Sequence, residues 1–235
     1  MLGGAAAGIV NAMAGGGSSL TVPLLVLAGV PGNEANGSNR VGILAQSITT
    51  AWSFHDQGVT AYREARAVLL PVALGSFVGA YGVSQLADET FEKSFAILML
   101  PVMFLSIRHP KPRVDAEPWR PAVTFLVFLA IGVYGGAVQA GVGLVLLAAL
   151  TRSGIDLVTA NVIKVIVTIG VTVMALPMFI AQGKVRWGPA IVLAVGLAIG
   201  GWIGARIAVR GGERIIRVVM VVAALGLAGR LLGLY

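Results

Sequence analysis

The chain has 235 residues, of which 57% are apolar and only 11% are charged, and its mean hydropathy is +0.90. Soluble domains carry about 45–50% apolar and about 25% charged residues, so this composition excludes a soluble enzyme, a disordered chain and a coiled coil. The sequence contains no cysteine, which excludes disulfides and thiolate metal sites. We therefore expect an all-α polytopic membrane protein.

The charge is basic, with 17 Lys and Arg against 10 Asp and Glu, a net charge of +7. In a soluble protein this excess would suggest a nucleic-acid partner. Here the cations gather in short loops between apolar segments, which is how membrane proteins encode their orientation. The expected partners are the lipid bilayer and a small anion, not nucleic acid, and a homo-oligomer stays open. No cofactor, metal site or catalytic group is predicted, because the apolar segments hold no suitable constellation.

In chain order, apolar stretches near the length of a bilayer crossing, about 20 residues, form two series. The first series consists of segments A (2–30), B (33–55), C (66–86) and D (91–107). The second consists of A′ (121–151), B′ (156–181), C′ (188–209) and D′ (214–234). We predict a first transmembrane repeat at 1–107, a cytoplasmic linker at 108–120 and a second repeat at 121–235.

Identical residues recur at a spacing of 125, which supports the division into two repeats. The matched pairs include Gly16 and Gly141, Asn36 and Asn161, Gln57 and Gln182, Gly75 and Gly200, and Gly79 and Gly204. Gln57 and Gln182 each precede a glycine and are predicted to be helix ends. Internal repeats of this kind are common in secondary transporters.

Segments A and A′ are long for one crossing, and glycines interrupt both. If each forms a broken or re-entrant hairpin, each half has three further transmembrane helices and the repeats are inverted. If each crosses once, the repeats are parallel. The inverted arrangement puts most Lys and Arg in the cytoplasm, whereas the parallel one divides them almost evenly, so the positive-inside rule favours inverted repeats with both termini outside.

The interruption of segment A predicts an anion site. A helix that restarts after Gly17 would present unpaired N–H groups and the positive end of its dipole, next to serine hydroxyls. The alternative is that these small residues only let helices pack closely. Arg40 in segment B and Lys164 in B′ add two intramembrane cations, which usually face a cavity or a partner unless they snorkel to an interface.

Uncharged amides on the same segments could donate to an oxyanion without burying a further charge. The Ser and Thr residues of B and B′ are more simply explained by hydrogen bonds between helices. The complete predicted substrate-binding set is Gly16, Gly17, Ser18, Ser19, Asn36, Asn39, Arg40, Gln139, Gly141, Asn161 and Lys164.

The opening Gly8–Gly17, which runs into Leu20-Thr21-Val22-Pro23-Leu24-Leu25, resembles the first motif of the sulfite exporter TauE/SafE family, also called the 4-toluene sulfonate uptake permeases. Gly75–Gly79 and Gly200–Gly204 resemble its later glycine helices, and Gly136–Gly143 its second-half copy.

The resemblance implies a multi-pass secondary transporter of the cell inner membrane. Its substrates would be small sulfur-containing anions of the sulfite, sulfonate, sulfoacetate or thiosulfate class. A passive anion channel and a membrane scaffold subunit without transport remain the alternatives, and an enzyme is not expected.

Overall fold

The computed structural model describes residues 1–15, 17–107 and 119–231, with backbone alone at 14, 19, 96, 99–107 and 212–231. Within these ranges the chain is helical and contains no strand. The helices are α1 (Leu2–Ala14), α2 (Ser18–Leu27), α3 (Gly32–Asp56), α4 (Tyr62–Ser84), α5 (Asp88–Ile107), α6 (Pro121–Ala137), α7 (Val142–Arg152), α8 (Leu157–Ala181) and α9 (Trp187–Leu231). Residues 108–118 of the predicted linker lie outside the described residues.

The predicted segments correspond to these helices, with one difference at the end. Segment A is divided into α1 and α2, and segment A′ into α6 and α7, as the glycines indicate. Segments C′ and D′, predicted as separate, form the single helix α9. The chain between them has no proline, and a glycine costs only about 1 kcal/mol inside a helix, so helical hydrogen bonding continues through Gly211.

Three described helices are long and apolar enough to cross a membrane: Tyr62–Ser84, Leu157–Ala181 and the Trp187–Gly211 part of α9. Helix α3 has 25 residues but a polar sequence, and it is buried along most of its length. It packs against both α8 and α9. Because its amides, hydroxyls and Arg40 are screened by neighbouring helices, α3 tolerates a composition that lipid would not.

Two glycine seams join the first half of the chain to the second. Helix α1 packs along α9, and α6 packs along α4. A Cβ atom at Gly8 would lie 2.7 Å from Leu197 O, and one at Gly200 would overlap Ala5 O. In the other seam, a Cβ atom at Gly75 would overlap Leu129 O. These glycines let the helix backbones approach closely, as in packed membrane helices.

Helix ends that are 125 residues apart lie at opposite ends of α3. Gln57 ends α3 itself, and Gln182 ends α8. The loop after Gln182 contacts the beginning of α3, where Arg186 N donates to Ser38 Oγ at 2.8 Å. The two predicted helix ends are confirmed, each followed by a glycine with positive φ.

Candidate functional site

The two interruptions, one between α1 and α2 and the other between α6 and α7, meet inside the protein. Gly15 ends α1 in the left-handed conformation, with φ of 79°, and a Cβ atom there would lie 2.5 Å from Gly143 Cα. In the second interruption Gln139 and Gly141 have positive φ, 60° and 72°. The second break thus falls at Val138–Gly141, because Gly135 and Gly136 remain within α6.

A buried cavity of about 20 Å³ lies where the interruptions meet. Both interruptions contribute to its wall, together with α3 and α8. The lining residues are Asn11, Ala12, Gly15, Ser18, Ile43, Gln46, Ser47, Thr50, Gln139, Val142, Gly143, Lys164, Val165 and Thr168. One of these described residues is cationic and none is acidic, so the wall carries a single formal charge, on Lys164.

Lys164 is held at the end of α1. Its side chain is almost fully buried, and Nζ donates to Asn11 O at 3.0 Å and to Ala12 O at 2.9 Å. These carbonyls belong to the last turn of α1, where the helix dipole is negative and favours a cation. An ammonium has three N–H donors, so one remains available to the cavity after these two bonds.

Arg40 makes the corresponding contact with the other interrupted helix. Its guanidinium donates to Gly135 O at 3.2 Å and to Gly136 O, both in the last turn of α6. The Arg40 Cζ atom also lies 4.4 Å from the centroid of the Phe179 ring, a cation–π arrangement. Arg40 is fully buried but is not part of the cavity wall.

Asn11 was not singled out from the sequence, yet it connects three elements of the site. Its Oδ1 accepts from Gly17 N at 3.0 Å, and its Nδ2 donates to Gln46 Oε1 at 2.9 Å. Gln46 Nε2 in turn donates to Gly8 O at 3.0 Å. The first N–H of the α2 turn therefore already has an acceptor within the protein. A single polar residue four positions before the glycine run was the signal available in the sequence.

Gln139 lines the cavity from the second interruption. Its Nε2 donates to Thr172 Oγ1 at 2.8 Å, and Thr172 donates onward to Thr168 O at 2.7 Å. Its Oε1 is buried and has no partner among the described residues, and the same holds for Thr50 Oγ1 on α3. The cavity wall thus contains polar atoms that are not satisfied by the described part of the chain.

The other predicted binding residues lie outside this wall. Asn36 Nδ2 donates to Ala137 O at 2.9 Å, and Asn39 Oδ1 accepts from Thr21 Oγ1 at 2.6 Å. Both amide atoms of Asn161 are buried without a partner among the described residues. Gly17 and Gly141 cap α2 and α7.

The structure therefore brings together Ser18, Gln139 and Lys164 from the predicted set. Gly16 and the Ser19 side chain lie outside the described residues.

Ion pairs occupy both ends of α3. At its beginning Arg186 pairs with Glu34, and Lys184 Nζ lies 3.7 Å from Asp88 Oδ2. At its end Arg206 lies 3.4 Å from Asp56 Oδ2. The hydrogen bond from Arg186 to Glu34 raises the pKa of Arg186 above its ordinary value.

Comparison with known proteins decides the family. The sulfite exporter TauE/SafE family matches residues 1–231. The chain belongs to this family. It is a membrane protein of a transporter family, and the names of its relatives describe transporters, not enzymes. No solved structure gives a significant match.

Three curated relatives match over nearly the whole chain. A probable membrane transporter protein, ORF9, of a Sinorhizobium species is 26% identical over 96% of this chain and 88% of its own length. A probable membrane transporter protein of Haemophilus influenzae is 24% identical over 93% of this chain and 88% of its own length. The probable membrane transporter protein YfcA of Escherichia coli is 25% identical over 96% of this chain and 86% of its own length.

Proposed function

We propose that this protein is a multi-pass secondary transporter of the cytoplasmic membrane that moves a small sulfur-containing anion by alternating access. The observation that carries the proposal is the buried cavity where the two helix interruptions meet, with Lys164 in its wall. Secondary transporters typically place the substrate near the bilayer midplane, between interrupted helices of two repeats.

The charge of the cavity supports an anionic substrate. Lys164 is the cation of the wall, and the described lining has no carboxylate to neutralise it. Two of its N–H groups are bound to carbonyls of α1, and the third is left for a ligand. Ser18 and Thr50 add hydroxyl donors. The preference for sulfur comes from the family alone, which is described as a sulfite exporter family.

Reciprocal contacts between the halves support inverted repeats. Lys164, in the second half, binds the last turn of α1, and Arg40, in the first half, binds the last turn of α6. The α1–α9 and α6–α4 seams have the same relationship. Gln57 and Gln182, which match in sequence, lie at opposite ends of α3, as an inverted repeat requires.

The small volume of the cavity supports a carrier over a channel. About 20 Å³ is enough space for one water molecule, so an oxyanion needs the site to widen. The contact between Gly15 and Gly143 is the part of the wall that would separate. Ion pairs at both ends of α3 provide contacts that could break and form in turn as each side opens.

The proposal is tested with purified protein and a panel of sulfite, thiosulfate, sulfoacetate, sulfate and simple carboxylates. A ligand at 100 times its dissociation constant adds about 2.7 kcal/mol of stability, which is measured as a shift in thermal unfolding. Flux into proteoliposomes should then saturate with the same anion. Flux that does not saturate would indicate a channel, and no shift with any anion would contradict transport of this substrate class.

A further inference from the structure

The side-chain amide of Gln139 has a fixed orientation in the cavity. Thr172 Oγ1 donates its only proton to Thr168 O, at 2.7 Å. Towards Gln139, 2.8 Å away, the Thr172 oxygen can then only accept. In this bonding pattern the NH₂ group of Gln139 faces Thr172, because a carbonyl oxygen there would meet another acceptor. Gln139 Oε1 is consequently the atom left without a partner among the described residues.

A second hydroxyl extends the same chain of bonds. Thr168 Oγ1 donates to Lys164 O at 2.7 Å, so it too has used its proton and cannot supply one to Gln139. Each threonine bonds to a carbonyl four residues earlier on α8, which keeps both side chains in place. The orientation of Gln139 is thus set by the helix that carries Lys164.

The cavity therefore presents donors and one oriented acceptor. Lys164, Thr50 and Gln139 all line the cavity. Lys164 has a third N–H and Thr50 a hydroxyl to donate, whereas Gln139 Oε1, buried without a partner among the described residues, can only accept. A buried acceptor that is left without a donor when the ligand binds weakens binding. An oxyanion with no hydrogen of its own cannot donate to Gln139 Oε1. Its oxygen lone pairs would instead repel those of Gln139 Oε1.

From this arrangement, and on the basis of the function proposed above, we propose that the site selects a singly charged oxyanion that carries its own hydroxyl group, such as hydrogen sulfite. Lys164 balances the single charge, and the hydroxyl of the anion donates to Gln139 Oε1. A dianion would bring a second charge into a wall with one cation. An anion of equal size without a hydroxyl group would bind more weakly, because it cannot form this hydrogen bond.

The test compares two anions of the same charge and nearly the same shape. Hydrogen sulfite carries a hydroxyl on sulfur, and methanesulfinate carries a methyl group in its place. Both are titrated by thermal unfolding at one mildly acidic pH, where sulfite is singly protonated. We expect the intact protein to bind hydrogen sulfite about tenfold more tightly or better, the usual value of a buried hydrogen bond.

The Gln139→Met variant removes the acceptor and keeps the length of the side chain. It should lose the preference for hydrogen sulfite and keep its affinity for methanesulfinate, which also shows that the variant is folded. Thr172→Val, which releases the amide, should weaken the preference in the same direction. The matched control is Gln85→Met, because Gln85 is an exposed glutamine and its loss should leave both affinities unchanged.

The outcomes separate this inference from the proposed function. Equal affinity of the intact protein for the two anions would overturn the inference and leave anion transport standing. A preference that persists in a folded Gln139→Met variant would also overturn it. If the intact protein binds neither anion nor any other of the panel, the proposed function fails and the inference fails with it. If Gln139→Met does not fold, the comparison on the intact protein decides.

Discussion

Gly15 and Gly143 lie backbone against backbone, although they are on different interrupted segments. A Cβ atom at Gly15 would stand 2.5 Å from Gly143 Cα, well inside the 3.5–4.0 Å at which carbon atoms normally make contact. Neither position accepts a side chain unless the backbone of the other segment moves. The contact closes one side of the cavity that contains Lys164.

We expect Gly143→Ala to disrupt this contact. The new methyl group would overlap the Gly15 backbone, and overpacking of this kind costs about 1–3 kcal/mol. Thermal unfolding of the purified variant should show the loss, and transport should fall with it. In Gly82→Ala, the matched control, the methyl group has open space, so stability should rise by up to about 1 kcal/mol. An equally stable Gly143→Ala protein would contradict the close contact.

Lys164→Met should abolish anion-dependent stabilisation. The variant keeps the length of the side chain but removes the charge and the donors to Asn11 O and Ala12 O. Ala12 O loses its donor from Lys164, and Asn11 O keeps only the bond from Gly15 N, so the unliganded protein should also unfold about 1–3 kcal/mol more easily. The thermal shift with sulfite is the measurement. Lys184→Met removes a cation that lies near Asp88 at the beginning of α3, outside the cavity wall, and this variant should retain the full shift.

Arg40→Met should affect stability more than affinity. Arg40 binds carbonyls of α6 outside the cavity wall, so its loss should weaken folding by about 1–3 kcal/mol and leave the anion dissociation constant nearly unchanged. Arg40→Lys should recover part of the stability, because an ammonium can still donate to one of the carbonyls. A large loss of affinity in a stable Arg40 variant would instead place Arg40 at the anion.

Single cysteines at Gln57 and Gln182 should report opposite sides of the membrane. The chain has no native cysteine, so each variant carries one thiol. With inverted repeats in the predicted orientation, an impermeant thiol reagent should label the cysteine at 182 on intact cells. The cysteine at 57 should react only after the membrane is opened. Labelling of both from one side would support parallel repeats and overturn the inverted arrangement.

Much of the fold could be predicted because its signals are local. The glycine interruptions of segments A and A′ predicted the divided helices. Asp156 caps α8 through a local contact of the same kind, since its carboxylate accepts from Val158 N and Thr159 N, both at 3.0 Å. The one misplaced boundary, inside α9, lies where charges and glycines suggested a loop. Propagation of a long helix overrides such weak signals.

The site was harder to predict because its contacts join distant parts of the chain. The sequence pattern predicted that both Arg40 and Lys164 bind the anion, but of these two cations the structure places only Lys164 in the cavity wall. Asn11 escaped notice because its importance comes from bonds to Gly17 and Gln46. The orientation of Gln139 likewise depends on Thr172, a residue on another helix.

The seam between α1 and α9 constrains the biogenesis of the protein. Gly200, which packs against Gly8, is synthesised roughly 190 residues after it, an interval of about 10 to 40 seconds at the usual rate of synthesis. During that interval α9 has not been synthesised, so the glycine face of α1 has no helix to pack against. A truncation before α9 removes the helix against which α1 packs.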